Sequence, residues 1–201
     1  MINQNIKDFI LNLNVNKIPL QRKNSLNRII KELKKNNDLN LPSKLNFICT
    51  HNSRRSQLCQ IWSEIIFNYY GFTRIHSFSG GTEVTNVNKR IIKILIESGF
   101  SIKQNKHITN PEYIVKCGKI NEIKLISKLY NDIQNPANNF IAVMNCSSAE
   151  KNCPIIDGAS KIISLQFDDP GKFDESSLEN EKYRETNIDI ASSIKYICIN
   201  I

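Results

Sequence analysis

The chain has 201 residues, of which 40% are hydrophobic and 23% charged, and its formal net charge is +8. This length and composition predict one globular domain with a substantial core and exclude an intrinsically disordered chain. No apolar stretch approaches the length of a membrane span, and the N-terminus lacks the pattern of a secretory signal. The positive charge favours an anionic partner, but it does not select between nucleic acid, a membrane surface and a small oxyanion.

Residues 1–44 are predicted to form two amphipathic helices. Apolar residues recur at helical spacing in two sets, with Pro19 between them and Pro42 after the second. The basic stretch KELKKNND carries no interleaved aromatic residues that would stack on bases, so it is interpreted as a solvated helix face and not as a nucleic-acid site. We interpret residues 1–44 as a helical N-terminal extension and residues 45–201 as the main domain.

From residue 45, strands and helices alternate along the chain. The runs LNFIC, RIHSFSGG, FIAVMNC and KIISLQF predict four strands, and helices are predicted for QLCQIWSEIIFNYY, NVNKRIIKILIESGF, NEIKLISKLYNDIQN and the C-terminal tail. This alternation predicts an α/β fold, a three-layer sandwich around a central four-stranded parallel sheet. Ligands of such sheets bind beyond the carboxyl ends of strands, where Cys49 and Cys146 both fall.

The stretch CTHNSRRS follows the first predicted strand and leads into a helix. A helix that begins near Ser56 offers unpaired N–H groups and the positive end of its dipole, and a tight loop before it forms an anion-binding nest. Arg55 adds a planar fork for two oxygens of a tetrahedral anion, and these positive surroundings favour the thiolate form of Cys49. The predicted oxyanion-binding residues are Thr50, His51, Asn52, Ser53, Arg54, Arg55 and Ser56. The bland alternative is a buried structural Cys49.

This stretch resembles the active-site loop of the low-molecular-weight protein tyrosine phosphatase superfamily, which includes the thioredoxin-coupled arsenate reductases. FDDP, residues 167–170, resembles the superfamily's general-acid loop, which makes Asp169 the acid and Asp168 the less favoured donor. A carboxylic acid is needed because the departing oxygen is too basic to leave unprotonated. An Asp-Asp-Pro turn also occurs for structural reasons alone.

FIAVMNCSSAEKNCP places Cys146 at a strand end and Cys153 seven residues later. This pattern resembles the redox loop of the thioredoxin-coupled arsenate reductases. The resemblance implies that Cys49 attacks arsenate, that Cys146 then attacks Cys49 and releases arsenite, and that Cys153 resolves the disulfide for thioredoxin. The spacing matches no common zinc site, so no metal and no tightly bound cofactor are predicted. Incidental buried thiols are the alternative.

Two other functions remain open. A phosphatase would use Cys49, Arg55 and Asp169 to hydrolyse a phosphate monoester, and a non-catalytic module would only bind a phosphorylated partner.

Gln60 stands where arsenate reductases of this type often carry a glutamate of an alkali-cation site. His51 is interpreted either as an electrostatic influence on the loop or as a polar filler.

Six cysteines without a secretory signal indicate a reducing compartment, so a cytoplasmic location is predicted. Cys59, Cys117 and Cys198 are interpreted as structural thiols. The predicted partners are a small tetrahedral oxyanion, either arsenate or a phosphate ester, and thioredoxin. Neither a nucleic acid nor a membrane is predicted as a partner.

Overall fold

The structure of the protein is a computed structural model that describes residues 2–105, 109–118, 122–147, 149 and 155–201. The helices are α1 (Gln4–Asn12), α2 (Leu20–Asp38), α3 (Arg55–Tyr69), α4 (Lys89–Glu97) and α5 (Glu179–Cys198), with short 3-10 turns at Val15–Lys17 and Pro170–Phe173. The strands are β1 (Ser43–Cys49), β2 (Ile75–Gly81), β3 (Ser101–Gln104), β4 (Tyr113–Lys116), β5 (Ile123–Leu125), β6 (Phe140–Met144) and β7 (Ala159–Ser164). No helix in these ranges is long and apolar enough to cross a membrane.

The central sheet contains four parallel strands in the order β2–β1–β6–β7. The predicted α/β fold and the predicted four-stranded parallel sheet are therefore confirmed. Strand β1 has β2 on one side and β6 on the other, so the chain connections on its two sides run in opposite directions across the sheet. Such a reversal is a topological switch point, and a crevice for ligands opens there beyond the carboxyl ends of the strands. Cys49 ends β1 at this place.

The two faces of the sheet carry different apolar clusters. Alternate residues of β6 point to opposite faces, so Ile141 and Val143 join the large core formed with the helices. Phe140, Ala142 and Met144 join a smaller cluster on the other face. That smaller cluster also contains Cys49 and Cys146.

The two N-terminal helices pack into the large core. Ile6 and Ile10 of α1 are fully buried, as are Leu26 and Ile29 of α2. The two amphipathic helices predicted from the spacing of apolar residues are therefore present as α1 and α2. The division of the chain at residue 44 into an extension and a catalytic domain stays a prediction.

The helix predicted over residues 121–135 is wrong in its described part. Residues Ile123–Leu125 form β5, which pairs antiparallel with β4, and Ile133 is 98% exposed. Buried Ile123 and Leu125 flank exposed Lys124, which is the two-residue period of a strand. Farther along, the backbone bonds across to β2, with Gly81 N–H donating to the Lys128 carbonyl at 2.8 Å. These long-range bonds replace the local bonds of a helix.

A three-stranded antiparallel sheet, β3–β4–β5, was not predicted from the sequence. Its strands have only three or four residues, too few to show a clear period. Helix α4 ends as predicted before Gly99, whose φ of +105° suits glycine.

Candidate active site

The oxyanion loop, residues 49–56, joins the end of β1 to the start of α3. Cys49 is only 4% exposed, and α3 begins at Arg55. No side chain of a described residue caps this helix start, so its first N–H groups are available to an anion. Gly81 runs close beside the loop: a Cβ on this residue would lie 2.6 Å from the Thr50 carbonyl oxygen.

A short hydrogen-bond chain leads to the Cys49 sulfur. Asn52 Nδ2 donates to Ser56 Oγ at 2.9 Å, and Ser56 Oγ lies 3.0 Å from Cys49 Sγ. Because Ser56 accepts from Asn52, its own proton is available to the sulfur. A hydroxyl that donates to the sulfur stabilises the negative charge that a nucleophilic sulfur carries. The arrangement favours a nucleophilic Cys49.

Asn52 fixes the turn of the loop. Its φ is +47°, in the left-handed region that asparagine tolerates better than most residues. Its Oδ1 accepts the Lys128 N–H at 3.0 Å, and its carbonyl accepts from Gln57 Nε2 at 2.8 Å. Lys128 belongs to the segment 121–135 for which the sequence predicts a helix, and this segment thus supports the oxyanion loop through a backbone hydrogen bond.

Arg55 connects the oxyanion loop to the acid loop, residues 167–174. Its Nη2 donates to Asp169 Oδ2 at 2.6 Å, and its Nη1 donates to the Phe167 carbonyl at 3.1 Å. Its Nε is buried and has no hydrogen-bond partner among the described residues. Asp169 also accepts the Gly171 N–H at 3.0 Å, which caps the following 3-10 turn. The predicted acid and the predicted anion-binding arginine are therefore in direct contact.

Arg54 has a different environment from Arg55. Its Nε donates to the Tyr183 hydroxyl at 2.7 Å, and its Nη2 donates to Asp174 Oδ2 at 2.8 Å. The Tyr183 hydroxyl in turn donates to Asp174 Oδ1 at 2.8 Å. Burial, together with the Asp174 carboxylate, raises the pKa of Tyr183 to about 12. We call these three side chains the Arg54 latch, because they join the oxyanion loop to the acid loop and α5.

Asp174 and Tyr183 were not selected from the sequence. The available signal was Arg54, the arginine that precedes Arg55 in CTHNSRRS, since a partly buried guanidinium needs an acceptor. The sequence does not show which of many acidic residues supplies it.

The remaining loop residues are held through their backbones and short side chains. The His51 carbonyl accepts from Ser127 Oγ at 2.8 Å, and Ser53 Oγ donates to the Asn86 carbonyl at 2.6 Å. The exposed His51 imidazole lies 3.3 Å from Glu83. Residues Glu83, Asn86 and Ser127 therefore lie directly beside the oxyanion loop.

Cys146 lies just beyond β6, the neighbour of β1 in the sheet. It is 4% exposed, and its Sγ lies 3.5 Å from Thr50 Oγ1 and accepts the Ala149 N–H at 3.4 Å. Thr50 is the residue after Cys49, so Cys146 directly contacts the oxyanion loop. The predicted role of Cys153 falls on a residue outside the described ones.

Comparison with curated proteins reveals the relatives of this chain. It is 31% identical over 124 residues to arsenate reductase 2 of Staphylococcus epidermidis, a match that spans 62% of this chain and 76% of that protein. Arsenate reductase 2 of Staphylococcus haemolyticus is 33% identical over the same shares. The chain belongs to the arsenate reductase family. No family model matches the chain.

Solved structures show the fold that this arsenate reductase family member shares. The low-molecular-weight protein tyrosine phosphatase from T. tengcongensis superposes with a TM-score of 0.52 at 14% identity, covering 77% of this chain and 97% of the phosphatase. The enzyme from Vibrio cholerae O395 gives 0.50 at 15% identity, covering 76% and 92%. The predicted superfamily is confirmed, and the chain is an enzyme of that superfamily.

The other described cysteines of this family member are buried. Burial raises the pKa values of Cys59, Cys117 and Cys198, so these thiols are poor nucleophiles at neutral pH. Gln60 accepts a hydrogen bond from Ser79 Oγ at 2.5 Å. No cluster of three metal-binding side chains occurs within the described part of the chain.

Proposed function

We propose that this chain reduces arsenate to arsenite through a cysteine relay, with Cys49 as the nucleophile and thioredoxin as the external reductant. The observation that carries the proposal is the position of two thiols. Cys49 is the last residue of β1, Cys146 lies just beyond the adjacent parallel strand β6, and both belong to one apolar cluster. Thr50, the residue after Cys49, contacts the Cys146 sulfur. A location in the cytoplasm, where thioredoxin keeps thiols reduced, belongs to the same proposal.

The first step is nucleophilic attack on arsenic. The N–H groups at the start of α3 and the Arg55 guanidinium bind arsenate, and the unpaired Nε supplies a donor for one oxygen. The Cys49 thiolate forms a sulfur–arsenic bond while one arsenic–oxygen bond breaks. Asp169 acts as the general acid and donates a proton to the departing hydroxyl, which leaves as water.

The second step transfers two electrons to arsenic. The Cys146 thiolate attacks the Cys49 sulfur, the sulfur–arsenic bond breaks, and its electron pair stays on arsenic as arsenite leaves. A Cys49–Cys146 disulfide remains. The Cys153 thiolate then attacks Cys146 and frees Cys49, and thioredoxin reduces the Cys146–Cys153 disulfide by the same exchange chemistry.

Arsenate-dependent NADPH oxidation with thioredoxin and thioredoxin reductase tests the proposal. Turnover is expected for the wild type and is expected to vanish in Cys146→Ser, while Cys198→Ser is the matched control that keeps it. In Cys153→Ser we expect about one turnover per enzyme and a trapped Cys49–Cys146 disulfide, which mass spectrometry under non-reducing conditions detects. If the wild type instead hydrolyses a phosphate ester through Cys49 and oxidises no NADPH, it is a phosphatase.

A further inference from the structure

An arginine of the N-terminal helices contacts the acid loop. The guanidinium carbon of Arg22 lies 4.8 Å from the centre of the Phe167 ring, within the range of a cation–π interaction. The same guanidinium donates from Nη1 to Asp189 Oδ2 on α5 at 3.0 Å. The Arg22 side chain is only 14% exposed. It therefore bridges α2, the acid loop and α5.

The buried position of Arg22 is not stabilised by its own helix, α2. It lies in the first turn of α2, where the positive end of the helix dipole opposes a cation. No acidic residue occupies that turn to offset the charge. The stabilising contacts of Arg22 are tertiary ones, with Phe167 and Asp189.

Phe167 links Arg22 to Arg55, because its ring contacts Arg22 and its carbonyl contacts Arg55. Its ring is buried under Arg22, and its carbonyl accepts from Arg55 Nη1 at 3.1 Å. Two residues later, Asp169 accepts from Arg55 Nη2. A displacement of Phe167 therefore changes the orientation of the Arg55 fork and of the acid together.

Both N-terminal helices, α1 and the helix α2 that carries Arg22, are attached to the rest of the domain. Lys195 Nζ of α5 donates to three carbonyls at the end of α1, those of Ile10, Leu11 and Leu13, at 2.9 to 3.0 Å. Phe9 of α1 stacks on Trp62 of α3 with 4.6 Å between the ring centres. These contacts hold α1 against the catalytic core. Helix α2 is held by its own contacts, since Leu26 and Ile29 are fully buried and the Tyr196 hydroxyl of α5 donates to Asn27 Oδ1 at 3.2 Å.

We propose that Arg22 is a positioning residue, and that the N-terminal helices brace the acid loop so that Phe167 and Asp169 orient Arg55 for the oxyanion. The catalytic part of this inference rests on the proposed function. The mechanical part, that Arg22 holds residues 167–169, does not depend on any activity.

The test compares Arg22→Gln, Arg22→Lys and Arg28→Gln in the full-length protein. Arg28 is the matched control because it is an exposed arginine on the same helix. In Arg22→Gln we expect faster amide hydrogen exchange in the peptide spanning 165–174 and a turnover number about 3- to 10-fold lower, the effect of losing a cation–π contact and an ion pair. Arg22→Lys keeps the charge and is expected to recover most of the loss, and Arg28→Gln to match the wild type in both measurements.

The outcomes separate the two proposals. Unchanged hydrogen exchange in Arg22→Gln overturns the brace, whatever the activity. Faster exchange with unchanged turnover overturns the positioning role. A loss that Arg22→Lys fails to recover, or that Arg28→Gln shares, assigns the effect to general destabilisation and also overturns it. A wild type that reduces no arsenate overturns the proposed function, while hydrogen exchange still decides the brace.

Discussion

The oxyanion loop and the acid loop meet at the Arg55 guanidinium, yet they are held by different kinds of contact. Within the oxyanion loop, the Asn52 side chain donates a hydrogen bond to the Ser56 hydroxyl, and this hydroxyl is hydrogen-bonded to the Cys49 sulfur. These three residues lie within eight residues of chain. The acid loop is held by Arg55 and Arg54, which lie more than one hundred residues away in sequence. The bonds that reach the Cys49 sulfur come from side chains of the oxyanion loop itself, whereas the acid loop depends on distant arginines. The backbone of the oxyanion loop is held from a distance as well, since the His51 carbonyl accepts from Thr85 and Ser127.

This difference has a consequence for function. A thiol held by side chains of its own loop is presented in a ready-made arrangement, which reduces the reorganisation needed in the transition state. A loop held by distant partners depends on the packing of α2, α3 and α5. Changes far from Cys49 are therefore expected to reach the chemistry through the acid loop.

The largest effect is expected from breaking the local chain in the oxyanion loop. Ser56→Ala removes the hydroxyl 3.0 Å from Cys49 Sγ. A hydrogen bond to a charged group contributes about 1.5–3 kcal/mol, so alkylation of Cys49 by iodoacetamide at pH 7 and turnover are both expected to fall about 10- to 100-fold.

Ser63→Ala is the control for that experiment. It removes a buried hydroxyl from the same helix, and this hydroxyl has no partner among the described residues. Equal losses in Ser56→Ala and Ser63→Ala would contradict a specific role for the bond to the Cys49 sulfur.

A smaller effect is expected from opening the Arg54 latch. Asp174→Asn removes the carboxylate that pairs with Arg54 and accepts from Tyr183, so the acid loop loses its attachment to the oxyanion loop. We expect turnover to fall about 10-fold, since small misplacements of a catalytic group are costly. Steady-state kinetics with arsenate measures the effect.

Asp168→Asn sharpens this result, because it changes an exposed carboxylate of the same loop next to the predicted acid. Turnover close to that of the wild type is expected. A loss in Asp168→Asn larger than that in Asp174→Asn would mean that the acid was assigned to the wrong aspartate.

The smallest effect concerns stability at high pH. The pKa of Tyr183 is raised from 10.0 to about 12, first by burial and then by Asp174. Because the folded state holds this proton more tightly than the unfolded chain, the contribution is complete below pH 10 and is lost as the pH rises to about 12. Urea unfolding between pH 8 and 11.5 should show a steeper alkaline loss for the wild type than for Tyr183→Phe. Parallel curves would contradict a coupled Tyr183 proton.

Sequence patterns predicted the elements whose residues interact with near neighbours. The strand before Cys49 and the helix after it follow from a short apolar run and a clear helical period, and both are present. The helix over 121–135 failed because its apolar residues fit two periods at once. Bonds from Lys128 to Asn52 and Gly81 decided the outcome, and such bonds leave no periodic signal.

For the candidate site, the same division holds. Chemistry and spacing were enough to select Cys49 and Arg55, since an anion-binding loop needs particular residue types, and the resemblance of FDDP to the superfamily's acid loop selected Asp169. Asp174 and Tyr183 are ordinary polar residues in sequence, and only the approach of α5 to the oxyanion loop makes them partners of Arg54.

By itself, the sequence of this arsenate reductase family member determined the α/β fold and the parallel sheet, and it predicts the type of chemistry at Cys49. These depend on hydrophobic period, on turn-forming residues and on the reactivity of individual side chains, all of which are local properties. The tertiary structure alone decided that the acid loop is fastened by Arg54 from one side and by Arg22 from the other. Such contacts join residues far apart in the chain, and their partners are chosen by how helices pack and not by any spacing along the sequence.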